Sequence, residues 1–327
     1  MSPSRPPLPA STGLVVGLNA VIIAGEGGEP RVLVTQGLAT PEAALPFGPF
    51  DPQAHRTFEI GLREWVREQT GFELGYVEQL YTFGDRGREA PLAALTGTAG
   101  ARVISLGYLG LAREARELSG LGARWASWNE FFPWEDHRHG RPPLIDELLA
   151  PALRSWADEA GAPGSRAARL ERVRTNFALD GLIWNEERAL DRYELLYEAG
   201  LVAEAARDTG ERPHAPAGTG QIMASDHRRI LATAISRLRG KVKYRPVVFE
   251  LMGDAFTLSD LQRMVEGIAG LTLHKQNFRR ALDRAGFVEG TGRFEARTGG
   301  RPAELYRFRK EALRAGTALG LAIPRLK

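Results

Sequence analysis

The spacing of apolar residues in the first half of the chain predicts strands arranged around a helix. Residues 14–24 are apolar and β-branched, and residues 31–36 alternate after a turn, so the two stretches predict a hairpin. Residues 56–69 place apolar side chains three and four positions apart, which predicts an amphipathic helix ending at Gly71. Further elements are predicted as strands at 73–83, 102–111 and 124–128 and a helix at 144–159. Mixed strands around a helix predict an α/β or α+β domain.

The middle of the chain is predicted to be helical. Residues 166–208 place four apolar side chains on one helical face: Leu190, Tyr193, Leu196 and Tyr197. Stretches containing glycine and proline lie on either side of this segment, at 160–165 and 209–220. We therefore predict three parts: a first domain at 1–160, a helical linker or dimerisation segment at 161–220, and a last domain at 221–327.

The last part has the pattern of a winged helix-turn-helix domain. Helices are predicted at 226–239, 260–268 and 273–285. Ser259 and Thr272 are predicted to cap the second and third helices, and Gly270 separates them. Strands at 287–289 and 303–309 would then form a hairpin, the wing. Two short helices joined by a glycine-containing turn are typical of a helix-turn-helix.

The charge of the chain is divided unevenly between these parts. Residues 221–327 hold 21 Lys and Arg against 10 Asp and Glu, a net charge of +11, although the whole chain carries only +3. A basic module joined to an acidic remainder favours binding of a polyanion. The chain has no cysteine, which excludes disulfides and thiolate metal sites. Because we find neither an apolar run long enough to span a membrane nor an export signal, we expect a cytoplasmic protein that does not contact the membrane.

The third predicted helix of the basic module presents hydrogen-bond donors suited to DNA bases. Lys275, Gln276 and Arg279 are the candidates for base edges in the major groove, and Arg280 also points outward. His274 and Asn277 could either contact DNA or cap and buttress the helix. On the wing, three arginines are expected to neutralise phosphates or to enter the minor groove: Arg293, Arg297 and Arg301.

The same region resembles a known family. The run HKQNFRRALDRAGFVEGTG, followed by GGRPAELYRF, is similar to the C-terminal winged helix of Nudix-related transcriptional regulators of NAD metabolism, the NrtR/NadQ type. The resemblance rests on His274, Asn277, Phe278 and the pair Arg279–Arg280, with Gly300, Arg301 and Pro302 at the expected distance. A generic winged helix does not require that set.

The first domain resembles a Nudix domain that lacks its catalytic carboxylates. The run GLREWVREQTGFELGYVEQLYTFGDRGR, between GPFDP and ISLGYLGL, is similar to the loop, helix and strands of that fold. When the Nudix box is anchored on Gly71, its paired glutamates fall on Glu68 and Gln69, and its earlier glutamate falls on Arg56. Hydrolysis needs several carboxylates around a divalent cation. We therefore predict no catalytic residues and no metal, unless Glu59 or Glu64 compensates.

A pocket of this ancestry could still bind a nucleotide without cleaving it. The candidate effector-binding residues are three cations, Arg56, Arg86 and Arg88, and four aromatic residues, Phe50, Tyr81, Phe83 and Tyr108. The aromatic residues could equally belong to the core. The run PWEDHRHG offers His137 and His139 near Glu135 and Asp136, but a His-x-His in a loop is more often polar surface than a metal site.

The resemblance implies a ligand-responsive transcriptional repressor of NAD biosynthesis or salvage genes. Its effector would be NAD or a related adenine nucleotide such as ADP-ribose or ATP, and no cofactor would be required. Its partner would be double-stranded, palindromic operator DNA, bound by a homodimer. The alternatives are a Nudix hydrolase of nucleoside diphosphate derivatives and a winged-helix adaptor that binds proteins.

Overall fold

The first half of the chain forms a seven-stranded mixed sheet. The computed structural model describes residues 13–36, 41–85, 101–119, 122–210, 216–295 and 302–309, without the side chain of Tyr244. The strands are β1 (Leu14–Glu26), β2 (Glu29–Gln36), β3 (Ala43–Ala44), β4 (Phe47–Pro49), β5 (Tyr76–Phe83), β6 (Arg102–Ala112) and β7 (Arg124–Ala126). The main path runs β3-β2-β1-β6-β5, while β4 pairs with β1 and β7 with β2. The predicted α/β (α+β) class is confirmed.

The centre of the sheet is the parallel pair β1 and β6. Their register runs from Leu14 opposite Arg102 to Ala24 opposite Ala112, and most of both strands is buried. Strands covered on both faces read as nearly continuous apolar runs, which explains the sequences of β1 and β6. The predicted β1–β2 hairpin is confirmed, with Gly27 and Gly28 at the positive φ angles of its two-residue turn.

Helix α1 (Phe58–Thr70) covers one face of the sheet and matches the predicted helix closely. Its N-cap is Thr57, whose hydroxyl accepts a hydrogen bond from the Ile60 amide. Leu62 and Val66 are buried against the sheet. Gly71 ends the helix at a φ of 69°, where its N–H donates to the Arg67 carbonyl, as expected for a left-handed C-cap.

The opposite face of the sheet is covered by α6 (His227–Tyr244), which the sequence assigned to the basic module. Seven of its apolar side chains are fully buried: Ile230, Leu231, Ala232, Ala234, Ile235, Leu238 and Val242. A Cβ on Gly107 of β6 would lie 3.2 Å from the Ile230 side chain, so the helix approaches the sheet closely. Helix α6 therefore belongs to the core of the sheet as much as to the last part of the chain, and the proposed domain bounds stay predictions.

The middle segment consists of short helices rather than one long one. They are α2 (Ala150–Asp158), preceded by a π-helical turn at Ile145–Leu149, α3 (Pro163–Phe177), α4 (Ala189–Glu198) and α5 (Ala203–Thr209), with a 3-10 turn at Glu186–Arg188. The predicted helix at 166–208 is broken after α3, where Ala178, Asp180 and Gly181 have positive φ angles. Tyr193 and Leu196 of α4 are buried within the chain's own core, so the predicted apolar face is not available to a partner.

The winged helix follows α6 directly. It comprises a 3-10 turn at Val247–Leu251, then β8 (Phe256–Thr257), α7 (Leu258–Ala269), α8 (Lys275–Ala285), β9 (Val288–Glu295) and β10 (Ala303–Phe308), with the small sheet ordered β8-β10-β9. The predicted N-cap at Ser259 is wrong. The cap is Thr257, whose hydroxyl accepts from the Asp260 amide while the Asp260 carboxylate accepts from the Thr257 amide, each at 3.1 Å. None of the described helices is long and apolar enough to cross a membrane.

A buried ion cluster, which we call the Glu135 cluster, consists of Glu135, Arg192 of α4 and Arg239 of α6. All three side chains are 0% exposed. Arg192 donates to both carboxylate oxygens, at 2.6 and 2.8 Å, and Arg239 donates to one of them. Burial alone would raise the pKa of Glu135, but the charges and hydrogen bonds of the two arginines lower it to about 2. The carboxylate is therefore ionised and fully paired.

The Glu135 cluster can be tested by removing its carboxylate. A Glu135→Ala substitution leaves two guanidinium groups buried without their anion. Breaking a buried ion pair in this way costs roughly 3–5 kcal/mol, so we expect urea denaturation to show a loss of about that size in the free energy of unfolding. The control is Glu147→Ala at an exposed carboxylate. Equal stability of the two variants would contradict the assignment.

Candidate nucleic-acid interface

Helix α8 presents one polar face to solvent and one apolar face to the core. Phe278 and Leu282 are its buried residues. All six residues that the sequence nominated here are exposed: His274, Lys275, Gln276, Asn277, Arg279 and Arg280. The amphipathic pattern of the sequence thus oriented this helix correctly, although the role of each residue in DNA binding stays a prediction.

Three cations on the polar face of α8, Lys275, Arg279 and Arg280, make neither an ion pair nor a side-chain hydrogen bond with any of the described residues. His274 occupies the N-cap position of α8 but its side chain makes no capping hydrogen bond. Uncommitted cations and amides on one helix face are the donors that a major-groove reader needs.

The turn between α7 and α8 is fixed to the rest of the molecule by segment 135–138. The His137 amide donates to the Gly270 carbonyl at 2.7 Å. Thr272 was predicted to cap α8, but its hydroxyl instead donates to the Arg138 carbonyl at 2.8 Å. In addition, Arg239 of the Glu135 cluster donates to the Ile268 carbonyl at 2.8 Å. The position of α8 is therefore set from outside the winged helix.

The tip of the β1–β2 hairpin adds a second contact to α7. A Cβ on Gly267 of α7 would lie 2.5 Å from the Pro30 ring. Arg138 donates to the Glu29 carboxylate at 2.5 Å and also pairs with Asp136. The winged helix thus rests on both the sheet and the loop that follows it.

The wing is formed by β9 and β10, paired antiparallel with Phe308 opposite Val288. Arg293 is exposed and lies on β9, which runs on to Glu295 instead of ending at residue 289 as the sequence predicted. Arg297 and Arg301 lie outside the described residues. Next to Arg293 lies Phe294, which is 65% exposed. The sequence analysis did not single out Phe294, although a large aromatic residue in so polar a strand was a signal that could have been used.

The candidate effector-binding residues do not form one site, because the sheet separates them. Phe50 and Tyr108 lie on the face covered by α1, where the Phe50 ring contacts Phe58 with centroids 4.6 Å apart. Tyr108 is buried, and burial together with the charge of Glu59 raises the pKa of its hydroxyl. Arg56 is exposed at the start of α1. Arg86 and Arg88 lie outside the described residues.

Tyr81 and Phe83 lie on the other face of the sheet, towards α6. Their rings meet edge to face with centroids 5.4 Å apart, and Tyr81 is 60% exposed whereas Phe83 is buried. The Arg229 guanidinium of α6 lies 5.5 Å from the centre of the Phe83 ring. The period of a strand predicts that Tyr81 and Phe83 share a face, but from sequence alone the face itself was not predictable.

Two of the three carboxylates of α1 are paired at the surface. Glu59 accepts from Arg63 at 2.7 Å, and Glu64 lies 3.2 Å from the His55 imidazole. No group of three His, Asp or Glu side chains within the described ranges could hold a metal ion. In the PWEDHRHG run, Glu135 is committed to its arginines and Asp136 to Arg138, while burial lowers the pKa of His137 to about 4.

Known proteins resemble this chain at two levels. Residues 248–308 match the family described as the NrtR DNA-binding winged helix domain. Over 86 residues the chain is 42% identical to the ADPR responsive transcriptional repressor NtrR of Acinetobacter baylyi. The aligned segment covers 26% of this chain and 34% of that protein. The matched segment therefore spans about a third of the length of this relative.

The whole fold also has counterparts among solved structures. The crystal structure of Shewanella oneidensis NrtR complexed with a 27mer DNA gives a TM-score of 0.50 at 17% identity, covering 91% of this chain and 95% of that one. A MutT/nudix family protein from Enterococcus faecalis gives 0.52 at 16% identity, covering 93% and 89%. The fold of the chain therefore combines a Nudix-like sheet domain with a winged helix. Residues 248–308 match the NrtR winged-helix family, and the fold of the whole chain is similar to that of NrtR.

The anchoring of the α7–α8 turn can be tested at Gly270, which has a φ of 68°. A Cβ there would collide with the Glu135 carbonyl, whereas a Cβ on Gly286, with a φ of 62°, meets nothing within 4 Å. Both Gly→Ala variants carry the left-handed strain of roughly 1–2 kcal/mol, but only Gly270→Ala also displaces the turn. We expect urea denaturation to show the larger loss of stability for Gly270→Ala. Equal losses would show that the contact with Glu135 is unimportant.

Proposed function

We propose that this protein is a transcriptional repressor that binds operator DNA through its winged helix and responds to ADP-ribose. The observation that carries the proposal is the exposed, unpaired polar face of α8 on a helix whose position is fixed by contacts outside the winged helix. We place the protein in the cytoplasm, where DNA and adenine nucleotides are both available.

The DNA half of the proposal follows from the chemistry of α8 and of the wing. Lys275, Gln276 and Arg279 would contact base edges, with His274, Asn277 and Arg280 beside them. Arg293, Arg297 and Arg301 of the wing would contact phosphates, which adds affinity rather than sequence preference. The net charge of +11 over residues 221–327 supports this division of roles.

The effector half draws on the name of the Acinetobacter relative, which describes a response to ADPR. A Nudix-like domain suits such a ligand, because phosphate recognition needs only donors whereas hydrolysis also needs a metal. Glu59 and Glu64 are each engaged with a neighbouring cation or imidazole. We therefore propose that the domain binds ADP-ribose, or the related nucleotides NAD or ATP, without cleaving it.

The operator is proposed to be palindromic and to regulate genes of NAD biosynthesis or salvage. A homodimer would place two copies of α8 in successive major grooves, about 34 Å apart. Because α8 is attached to the sheet through segment 135–138, a change in the sheet domain would alter that separation.

The proposal is tested by titrating nucleotides into a DNA-binding assay. Fluorescence anisotropy would follow binding to fragments of the protein's own promoter region and of NAD-synthesis promoters, at constant salt, with ADP-ribose, NAD and ATP. We expect ADP-ribose to change operator affinity by about 5–150-fold, the usual range of coupling between two sites. No change with any nucleotide would refute the effector half. Release of AMP from ADP-ribose with Mg²⁺ or Mn²⁺ would instead support the Nudix hydrolase alternative.

The role of α8 is tested by Arg279→Ala. Loss of one base contact is expected to weaken operator binding by roughly 1–3 kcal/mol and to relax sequence preference at one position. The matched control is Arg166→Ala on α3, which removes the same charge from an exposed arginine far from α8 in sequence. If both variants bind the operator equally well, Arg279 has no role in reading DNA.

A further inference from the structure

A cavity of about 590 Å³ lies between the end of β5 and the outer face of α6. Its wall on the sheet side is formed by Tyr81 and Phe83. Its wall on the helix side follows one stripe of α6 and includes Arg237, Gly240 and Lys241, with Arg245 at the end of the helix. This volume lies within the usual range of small-molecule sites, roughly 300–1,000 Å³.

The cavity carries positive charge that its own neighbours do not neutralise. Arg229 pairs with Asp85, Asp226 and Glu194, and Lys241 pairs with Glu78. By contrast, Arg237 and Arg245 are exposed and make no ion pair with any of the described residues. Both guanidinium groups line the cavity and are suited to an anion, since planar donors match phosphate oxygens.

The sheet side of the cavity offers an aromatic surface. Tyr81 is 60% exposed and is held edge to face against the buried Phe83 ring. An exposed ring with a fixed orientation provides a stacking platform for a flat ligand such as a nucleotide base. The cavity thus combines a platform for a ring with donors for an anion.

We propose that this cavity binds a nucleotide, with its base stacked on Tyr81 and its phosphate held by Arg237 and Arg245. The inference rests on the proposed function and deepens it, because the ligand would be the effector. It places the nucleotide on the α6 face of the sheet and not on the α1 face, where Phe50 and Tyr108 lie. The connection to DNA reading is direct, since Arg245 is followed at once by the 3-10 turn that begins the winged helix.

The proposal is tested by isothermal titration calorimetry of the full chain with AMP and with ADP-ribose. Tyr81→Ala is expected to weaken binding at least about tenfold, whereas Tyr81→Phe keeps the ring and should bind like the wild type. The double variant Arg237→Glu/Arg245→Glu is expected to abolish binding. The three positions of the aromatic and charge tests, Tyr81, Arg237 and Arg245, are exposed, so unfolding curves should match the wild type.

A third variant fills the cavity from the helix side. At Gly240 a Cβ would meet only the Glu187 carboxylate, at 3.6 Å, so a side chain can be added there without a backbone clash. Gly240→Leu is expected to weaken nucleotide binding at least about tenfold by occupying the cavity, while Gly240→Ala leaves most of the space open and serves as its control.

The outcomes separate this proposal from the proposed function. Nucleotide binding that is unchanged in Tyr81→Ala and in the double charge reversal would place the ligand elsewhere and overturn the cavity site, while the response of operator binding to ADP-ribose would stand. Failure of the wild-type chain to bind either nucleotide would overturn both the cavity site and the effector half. The DNA half of the proposal would then be decided separately, by operator binding measured without nucleotide.

Discussion

The structure depends most on one buried carboxylate. Glu135 lies where α4, α6 and the end of α7 converge. Its two arginine partners are Arg192 of α4 and Arg239 of α6, which are 47 residues apart in the sequence. Placing three charges out of water is costly, so the arrangement tolerates little variation in geometry and is a poor source of net stability. The cluster instead fixes the position of the turn before α8. Arg239 also donates to the Ile268 carbonyl at the end of α7, and the Glu135 backbone leaves no room for a side chain at Gly270.

This constraint explains why α8, the helix that we propose reads DNA, is coupled to the sheet. The turn before α8 is bonded to His137 and Arg138, and Arg138 is itself paired with Glu29 at the tip of the first hairpin. A displacement of the hairpin or of segment 135–138 is therefore transmitted to α8 through direct hydrogen bonds, and not through a flexible linker. Such a connection is what a repressor needs if ligand binding in one domain is to change the spacing of its reading helices.

The periodicity of apolar residues predicted most of the helices and strands. It did not predict the side-chain contacts between residues that are far apart in the sequence. The apolar run of β1, the alternation in β2 and the apolar stripe of α1 were sufficient because a strand or helix encodes its own buried positions. Nothing local showed that α6 would lie on the sheet, or that Glu135 would be paired with Arg192 and Arg239 instead of lying at the surface. The capping error at Thr272 has the same origin, since the Thr272 hydroxyl donates to the distant Arg138 carbonyl. The error at Ser259 was local, because Thr257 and Asp260 form a capping box within four residues of sequence. The exposed face of α8 was predictable, whereas the division of the aromatic residues between two sheet faces required the topology.

The continuous burial of α6 has a consequence for how this architecture can be rearranged. Ile235 and Leu238 of α6 belong to the same apolar core as Val21 and Ile23 of β1 and Phe278 and Leu282 of α8. A cut at residue 248, where the winged-helix match begins, would expose apolar surface on both fragments. The winged helix therefore cannot be moved from one protein to another as an independent domain. A working chimera has to carry α6 together with the partners of its buried Arg239, so the sheet domain and the winged helix are expected to be inherited as one unit.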